Sequence, residues 1–321
     1  MRRSILAAVL ISVACFHRPL PVRAQESRLP APAGWLYVQS ESRTMVARPG
    51  LLKGKPEQLS RGSLVPVFNT KRSGGARWAE VRVFRLDTAS PQAGWVEVGQ
   101  NELQPAETYP RDGELLRQLG DPYLDDFTAA HTHVARFLLR QGQNPPILLC
   151  YIYADPLPVA KLVAFATSQG KFLLAAARDY PISNIKAGIT SLEIRDLLGG
   201  GMEFLITREP FQQGPETNGT NLVIRRLEGN QFHTLWQAPV EFHNLSAFTF
   251  KIQILQPPEK NIGAPGTVTR GEVTFRPQGS GQEPVWKGKV EFFAFGREQA
   301  VDSVTFEREC PWEGKEFAPL R

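Results

Sequence analysis

Three consecutive glycines at positions 199–201 lie between two short apolar segments, and this stretch constrains the fold of the chain most strongly. Residues 189–196 and residues 202–207 have the length and the apolar composition of β-strands. Glycine tolerates the positive φ angles that tight turns require. The pattern therefore predicts a β-hairpin whose turn is formed by the glycines, within a β-rich part of the chain.

Similar segments follow one another along much of the chain and are separated by turn residues. Residues 159–177 form apolar runs that fit a strand or a helix, and the turn signal at Gly170 favours a hairpin. Residues 248–254 alternate apolar and polar side chains, which is typical of a half-buried strand. Residues 290–295 are apolar except for Glu291 and too apolar for a solvated strand, so we expect a central strand that is covered on both faces, with Val304 and Phe306 on its neighbour.

The N-terminal 24 residues have the pattern of an export signal. Two arginines precede an apolar run, and a small-residue step ends at Ala24. We expect cleavage after Ala24, a periplasmic or secreted protein, and no membrane span in the mature chain. A lipoprotein acylated at Cys15 is the less favoured alternative, because the large aliphatic residue that such signals usually carry three positions before the cysteine is absent.

Charge and cysteine content narrow the class of protein further. The formal net charge falls from +5 to +1 once the four arginines of residues 1–24 are removed, and no dense basic tract remains. We therefore expect no nucleic-acid partner. Cys150 and Cys310 would remain in the exported chain, either as a disulfide or as two buried free thiols.

Short strands that alternate with glycine turns extend over residues 34–104. Their order is an opening strand with Tyr37, a glycine turn and valine pair near Gly62, a strand with Trp78, and a closing strand with Trp95. With these motifs the segment resembles a bacterial SH3 (SH3b) domain. The resemblance implies a small SH3-like barrel that recognises cell-wall peptides or protein partners. Under it, Tyr37, Trp78 and Trp95 could form an aromatic ligand surface, although packing in the barrel core is the more ordinary role of such rings.

Residues 105–120 predict a helical connection between two domains. Leu115, Leu116 and Leu119 share one helical face, Asp112 could cap the start, and Gly120 could end the helix. The apolar face is expected to dock on one of the domains. The predicted organisation is a signal peptide at residues 1–24, a barrel at 34–104, a linker at 105–120 and a β-rich domain at 121–321.

The glycine hairpin resembles the FG-GAP or VCBS-type repeat, in which loop oxygens bind Ca²⁺. Asp196 matches the first ligand position of that loop, whereas Leu198 and Gly200 occupy the third and fifth, and Glu203 comes one residue earlier than the usual closing acid. A hard cation needs several oxygen ligands at once. The resemblance thus implies a metal site at Asp196 and Glu203 whose chemistry has been lost, and no cofactor is expected.

Taken together, the patterns predict a mainly β fold in which a small SH3-like barrel precedes a larger β-rich domain. That domain could be a propeller-like assembly related to FG-GAP repeats or a β-sandwich, because only one clear copy of the repeat is present.

Few residues suggest chemistry. His131 and His133 would face the same side of a strand, and Asp125 and Asp126 could complete a metal site, but paired histidines without a partner motif are usually surface residues. Cys150 lies in an apolar run, where burial normally raises the pKa of a thiol and lowers its reactivity. There is no nucleophile-elbow motif or phosphate-binding loop.

We therefore expect a non-enzymatic binding or scaffold protein of the bacterial cell envelope, with cell-wall material or an exported protein as its partner. Two alternatives remain open. One is a cell-wall hydrolase or other envelope enzyme in which the SH3b module targets an unrecognised catalytic site. The other is a purely structural spacer.

Overall fold

The computed structural model describes residues 31–40, 42–50, 57–99, 101–121, 132–154, 159–181, 188–212, 217–244, 266–293 and 299–320. The chain is mainly β, as the sequence predicts, with three antiparallel sheets and one short α-helix in the described ranges. In those ranges, no helix is both long enough and apolar enough to cross a membrane.

The first sheet contains seven strands. They are β1 (Gly34–Tyr37), β2 (Ser42–Val46), β3 (Glu57–Ser60), β4 (Leu64–Ser73), β5 (Ala76–Arg85), β6 (Ser90–Glu97) and β7 (Leu103–Pro105). Their order is β3-β2-β6-β5-β4-β1-β7. The sequence predicts a small barrel here. The structure has a seven-stranded sheet with its own apolar core, and β3 and β7 remain as two edges, so no closed hydrogen-bonded barrel forms among the described strands. The likeness to SH3b domains stays a prediction.

Helix α1 (Asp112–Leu119) follows a short 3₁₀ turn, and Gly120 ends it in the left-handed region. Leu115 and Leu116 are buried, so the apolar face docks as expected. The start differs from the prediction, because Arg111 occupies the N-cap position and Asp112 pairs with Arg136. The carboxylate is held by a guanidinium from the next sheet and therefore does not cap its own helix.

The second sheet contains four strands in the order β11-β10-β9-β8. They are β8 (Thr132–Leu139), β9 (Ile147–Ala154), β10 (Val159–Ser168) and β11 (Lys171–Pro181). The segment that was ambiguous from the sequence is a hairpin, and its turn has positive φ at both Gln169 (49°) and Gly170 (73°). Two positive φ angles match the right-handed strand twist of a tight hairpin.

The third sheet contains seven strands in sequence order. They are β12 (Ser191–Arg195), β13 (Phe204–Gln212), β14 (Thr217–Glu228), β15 (Gln231–Asn244), β16 (Gly266–Gln278), β17 (Gly281–Phe293) and β18 (Asp302–Glu309). Strands β12 and β13 pair as the predicted glycine hairpin. Strand β17 pairs with β16 and β18, as expected for a central strand, but Val290 and Phe292 are buried while Glu291 and Phe293 are not, so only one face is fully covered.

The second sheet lies between the other two and is packed on both faces. One face contacts α1 together with Trp35 and Tyr37 of the first sheet. The opposite face packs on the third sheet through Leu192 and Leu205. Strand β9 is consequently buried on both sides, which explains its uninterrupted apolar sequence.

Some predicted features lie outside the described residues. These are the export signal at residues 1–24 and the alternating segment at residues 248–254.

Candidate functional site

A cleft of ≈ 860 Å³ opens where the three sheets meet. Its walls include β3 of the first sheet, β8 of the second sheet and β12 of the third sheet. Each of these strands is the edge of its sheet. The volume falls within the range of about 300–1,000 Å³ that is usual for ligand pockets. This junction of three edges, which we call the cleft, is the candidate functional site.

The turn after β3 brings the three edges together. Its Gly62 carbonyl accepts a hydrogen bond from the Leu138 N–H of β8 at 2.8 Å. On the other side, a Cβ atom on Gly62 would lie only 2.9 Å from the Ile194 Cβ of β12, and the φ of 85° also favours glycine here. The Ser60 hydroxyl donates to the Leu192 carbonyl at 3.3 Å. Glycine at position 62 thus permits the close approach of the first and third sheets.

A buried carboxylate fixes the same junction. The side chain of Glu203 is 4% exposed, and its Oε2 accepts the Arg140 N–H at 2.7 Å while its Oε1 lies 3.4 Å from the Arg61 guanidinium. The Glu203 N–H in turn donates to the Arg140 carbonyl at 3.0 Å. The Arg140 guanidinium lies 5.4 Å from the Tyr37 ring centre, and burial raises the pKa of Tyr37. We call these four residues the Glu203 junction.

One wall of the cleft is aromatic. Phe84 of β5 lines it and stacks on His133 at 4.8 Å between ring centres with an interplanar angle of 6°. Tyr153, the cross-strand partner of His133, also stacks on Phe84, with 5.6 Å between ring centres. These rings fix the first sheet against the second beside the cleft.

The floor of the cleft carries a buried arginine. The Arg136 side chain on β8 is 5% exposed, pairs with Asp112 and donates to the Pro110 carbonyl at 3.1 Å. Its guanidinium also lies 4.6 Å from the Trp35 ring centre. Arg136 therefore joins α1, the first sheet and the second sheet, and its charge is already compensated.

A second buried ion pair lies behind the cleft on the third sheet. Arg225 is 2% exposed and pairs with Glu209, which also accepts hydrogen bonds from Thr207 at 2.6 Å and from Tyr180 at 3.1 Å. Burial raises the pKa of the Tyr180 hydroxyl well above its ordinary value. We call these residues the Glu209 cluster. It satisfies its own charges and links the second and third sheets.

The two carboxylates that were predicted from the calcium-loop resemblance do not share a site. The Asp196 oxygens accept the N–H groups of Gly199 at 2.8 Å and Gly201 at 2.7 Å, so they hold the glycine turn. A Cβ on Gly199 would overlap the Ser280 carbonyl of the β16–β17 turn. Glu203 instead belongs to the junction described above. Protein donors therefore occupy both carboxylates.

The three predicted aromatic residues lie in different surroundings. Tyr37 is buried at the Glu203 junction, and Trp78 is buried with its Nε1 donating to the Ser73 carbonyl at 3.3 Å. Trp95 is partly exposed, and the Lys71 ammonium lies 4.6 Å from its ring centre. Tyr37 faces the second sheet, whereas Trp78 and Trp95 lie on β5 and β6, so the three rings do not form one surface.

The structure places the two cysteines in different cores. Cys150 packs with α1 and the second sheet, whereas Cys310 packs in the third sheet, and both are buried free thiols. This arrangement corresponds to the second of the two alternatives. Burial raises the pKa of the Cys150 thiol to about 12, so it is not a ready nucleophile.

The histidine and aspartate metal candidate is only partly described. Asp125, Asp126 and His131 lie outside the described residues, and His133 is the ring that stacks on Phe84. The described ranges contain no group of three or more His, Cys, Asp or Glu side chains that could hold a metal ion.

Sequence reasoning did not identify the arginines of this region. Arg82, Arg85 and Arg208 line the cleft together with Arg136. The available signal was a charged residue within an apolar strand pattern, as at Arg136 between Ala135 and Phe137. Such a residue needs a buried partner, which is a reason to examine it.

Comparison of the chain with models of protein families, with characterised proteins and with solved structures finds no match.

Proposed function

We propose that this protein is an exported, non-enzymatic binding protein of the bacterial cell envelope, and that its cleft receives an extended segment of cell-wall peptide or of an exported partner protein. The observation that carries the proposal is the convergence of three sheet edges on one cleft of ≈ 860 Å³. Export rests on the sequence pattern of residues 1–24.

Strand β8 offers its backbone to such a segment. Leu138 of β8 donates its N–H to Gly62, on the side away from β9. Alternate residues of an antiparallel strand direct their N–H and C=O groups to the same side. The backbone groups of Val134 and Arg136 therefore point to the same side. An isolated bridge between Ser63 and Phe137 brings the start of β4 against β8 as far as Arg136, so the part of this edge that no described strand pairs with begins at Val134. An extended peptide can add to an edge of this kind as a further strand.

The walls provide contacts for side chains as well. Alternate side chains of an added strand would point toward the Phe84 wall and toward Leu192 of β12, both of which line the cleft. Main-chain hydrogen bonds supply affinity in this binding mode, and pockets for alternate side chains supply specificity. A regular polypeptide meets both requirements, which favours a protein segment over other cell-wall material.

A binding role also fits the state of the reactive groups near the cleft. Arg136 and Glu203 are engaged by protein partners, and the Cys150 thiol is fully buried. These groups support the architecture of the cleft and leave its surface to a ligand.

The test uses two tryptophan variants of the full chain. Ser191 is an exposed residue of edge strand β12 and lines the cleft, so Ser191→Trp would fill it. Ser303 is an exposed residue of edge strand β18, and Ser303→Trp is the matched control. We expect the parent chain and the control to retain peptides from a display library of random 12-residue sequences, and Ser191→Trp to retain few.

Two further measurements decide between this function and its alternatives. The proposal is contradicted if the parent chain and Ser191→Trp retain peptides equally. It is also contradicted if neither chain retains peptides and the protein does not sediment with purified cell-wall sacculi. Either result leaves the structural spacer as the function. Clearing of cell-wall substrate in a zymogram by the purified chain would favour the hydrolase.

A further inference from the structure

We propose that the segment bound in the cleft is acidic and belongs to an exported partner protein, and that Arg82 and Arg208 bind its carboxylates. This inference rests on the proposed function, because it names the chemistry of the segment that the same cleft receives.

The charges that line the cleft are unequally compensated. Of the four arginines, Arg85 pairs with Asp87 at 2.5 Å and with Glu57, and Arg136 pairs with Asp112. Hydrogen bonding to Arg85 lowers the pKa of Asp87, as expected for an ion pair that forms. Two of the four positive charges are thus neutralised within the protein.

The acids that line the cleft do not neutralise the other two arginines. Glu57 and Asp87 are engaged by Arg85, and Glu193 is engaged by Arg195. Within the described ranges, no carboxylate pairs with Arg82 or with Arg208. Arg82 and Arg208 therefore have no paired carboxylate among the described residues, and the cleft lining together with its ion-pair partners carries five arginines against four acids, a net charge of +1.

The two arginines are held on different walls. Arg82 lies on β5 of the first sheet, with its guanidinium 4.6 Å from the Phe68 ring centre. Stacking on a ring restrains the guanidinium plane and leaves its N–H edge available to donate. Arg208 lies on β13 of the third sheet, where its carbonyl accepts the Thr190 N–H at 2.8 Å and its side chain is exposed.

The chemistry of arginine then selects the ligand. A guanidinium presents parallel N–H donors that match the two oxygens of a carboxylate. In an added strand, alternate side chains point to the same face, so glutamates or aspartates at every second residue can meet one wall of the cleft. Because the two arginines lie on different walls, acidic side chains on one face of the added strand can bind Arg82 and those on the other face can bind Arg208. An acidic, extended polypeptide satisfies the open edge of β8 and both arginines together.

The test measures binding of labelled peptides to the full chain by fluorescence anisotropy. One nine-residue peptide alternates valine with glutamate, and the matched peptide alternates valine with lysine. We expect the acidic peptide to bind at least about tenfold more tightly at low salt, and Arg82→Gln and Arg208→Gln each to weaken it by about three- to tenfold. Arg72→Gln, an exposed arginine outside the cleft lining, is the matched control and should leave binding unchanged.

The outcomes separate this inference from the proposed function. Equal binding of the two peptides, with both abolished by Ser191→Trp, would overturn the acidic ligand and leave the cleft as a binding site. Failure of the acidic peptide to bind, or unchanged binding by the Arg82→Gln, Arg208→Gln double variant, would also overturn the inference. Binding of cell-wall sacculi through these arginines without binding of the acidic peptide would assign the cleft to cell-wall material. The proposed function itself is contradicted by a different result: failure of the parent chain to retain peptides from the random library, or equal retention by Ser191→Trp.

Discussion

Two pairs of arginines, one buried beside or behind the cleft and one in its open lining, have opposite surroundings. Arg136 and Arg225 have almost fully buried side chains, and each pairs with a carboxylate of the protein. Arg82 and Arg208 line the cleft without a described carboxylate partner. The comparison teaches that the same side chain stabilises the fold where the chain supplies its counter-ion, and is available to a ligand where it does not.

The largest effect that we expect is a loss of stability at alkaline pH, because it ionises buried cysteine and tyrosine side chains that pack in the same cores as the buried arginines. Burial raises the pKa of Cys150 from 9.0 to about 12 and raises the pKa values of Tyr151 and Tyr180 above 10. A group whose folded pKa is raised stabilises the fold fully below its unfolded pKa, and this contribution is lost as the pH rises through the folded pKa. The free energy of unfolding, measured with urea, should fall steadily from about pH 9 to about pH 12.

Cys150→Ala provides the control, since it removes one of the two buried thiols, whose unfolded pKa is the lowest among these groups; burial also raises the pKa of Cys310. In this variant the decline between about pH 9 and pH 10 should be shallower, because only Cys310 still contributes to it. A free energy of unfolding that stays constant up to pH 11 would contradict the burial of these groups.

The next largest effect should follow from Arg225→Ala. It leaves the Glu209 carboxylate without its main cationic partner, and breaking a buried ion pair in this way costs about 3–5 kcal/mol. Urea unfolding of the variant measures this loss. The double replacement Arg225→Met, Glu209→Leu should recover much of it, because it removes both charges. A single variant as stable as the parent would show that Arg225 belongs with the open arginines.

Glu203→Ala tests the junction that joins the three sheets. The change leaves the Arg140 N–H without its 2.7 Å acceptor, and we expect a loss of about 2–3 kcal/mol. Glu193→Ala is the control, since that acid is about one-third exposed beside Arg195 and should cost no more than about 1 kcal/mol. Equal losses in the two variants would place Glu203 among ordinary surface acids.

How far the sequence predicted this molecule depends on the range of the interactions involved. The glycine hairpin, helix α1 and the turn at Gly170 depend on neighbouring residues, so their patterns could be read directly. The Glu203 junction could not be predicted from the sequence, because Arg61 is 142 positions away from Glu203 along the chain. A local motif therefore suggested a metal ligand, whereas tertiary packing makes Glu203 a hydrogen-bond acceptor between sheets.

Local sequence patterns did not predict the cleft either. Its edge strands β3, β8 and β12 come from three sheets, and nothing in the sequence of one strand specifies which strand packs beside it. Arg136 was the nearest signal, as a charge in an apolar strand. Its partner Asp112 belongs to a helix and lies 24 positions earlier, so the strand pattern around Arg136 does not identify it.

The smallest effects on stability should come from the open pair. Arg82→Gln and Arg208→Gln should each change the free energy of unfolding by less than about 0.5 kcal/mol, because no described carboxylate loses a partner. Arg225→Gln is the matched replacement in the buried pair and should cost several times more. A large loss of stability in Arg208→Gln would erase the distinction between the two pairs.

Amide hydrogen exchange of the full chain, with and without a peptide selected from the library, tests the binding cleft most directly. We predict that the peptide slows exchange of the Val134 amide on the open part of the β8 edge, while the amides of edge strand β18 keep their rates. Protection at β18, or unchanged exchange at Val134 with the peptide bound, would contradict the account.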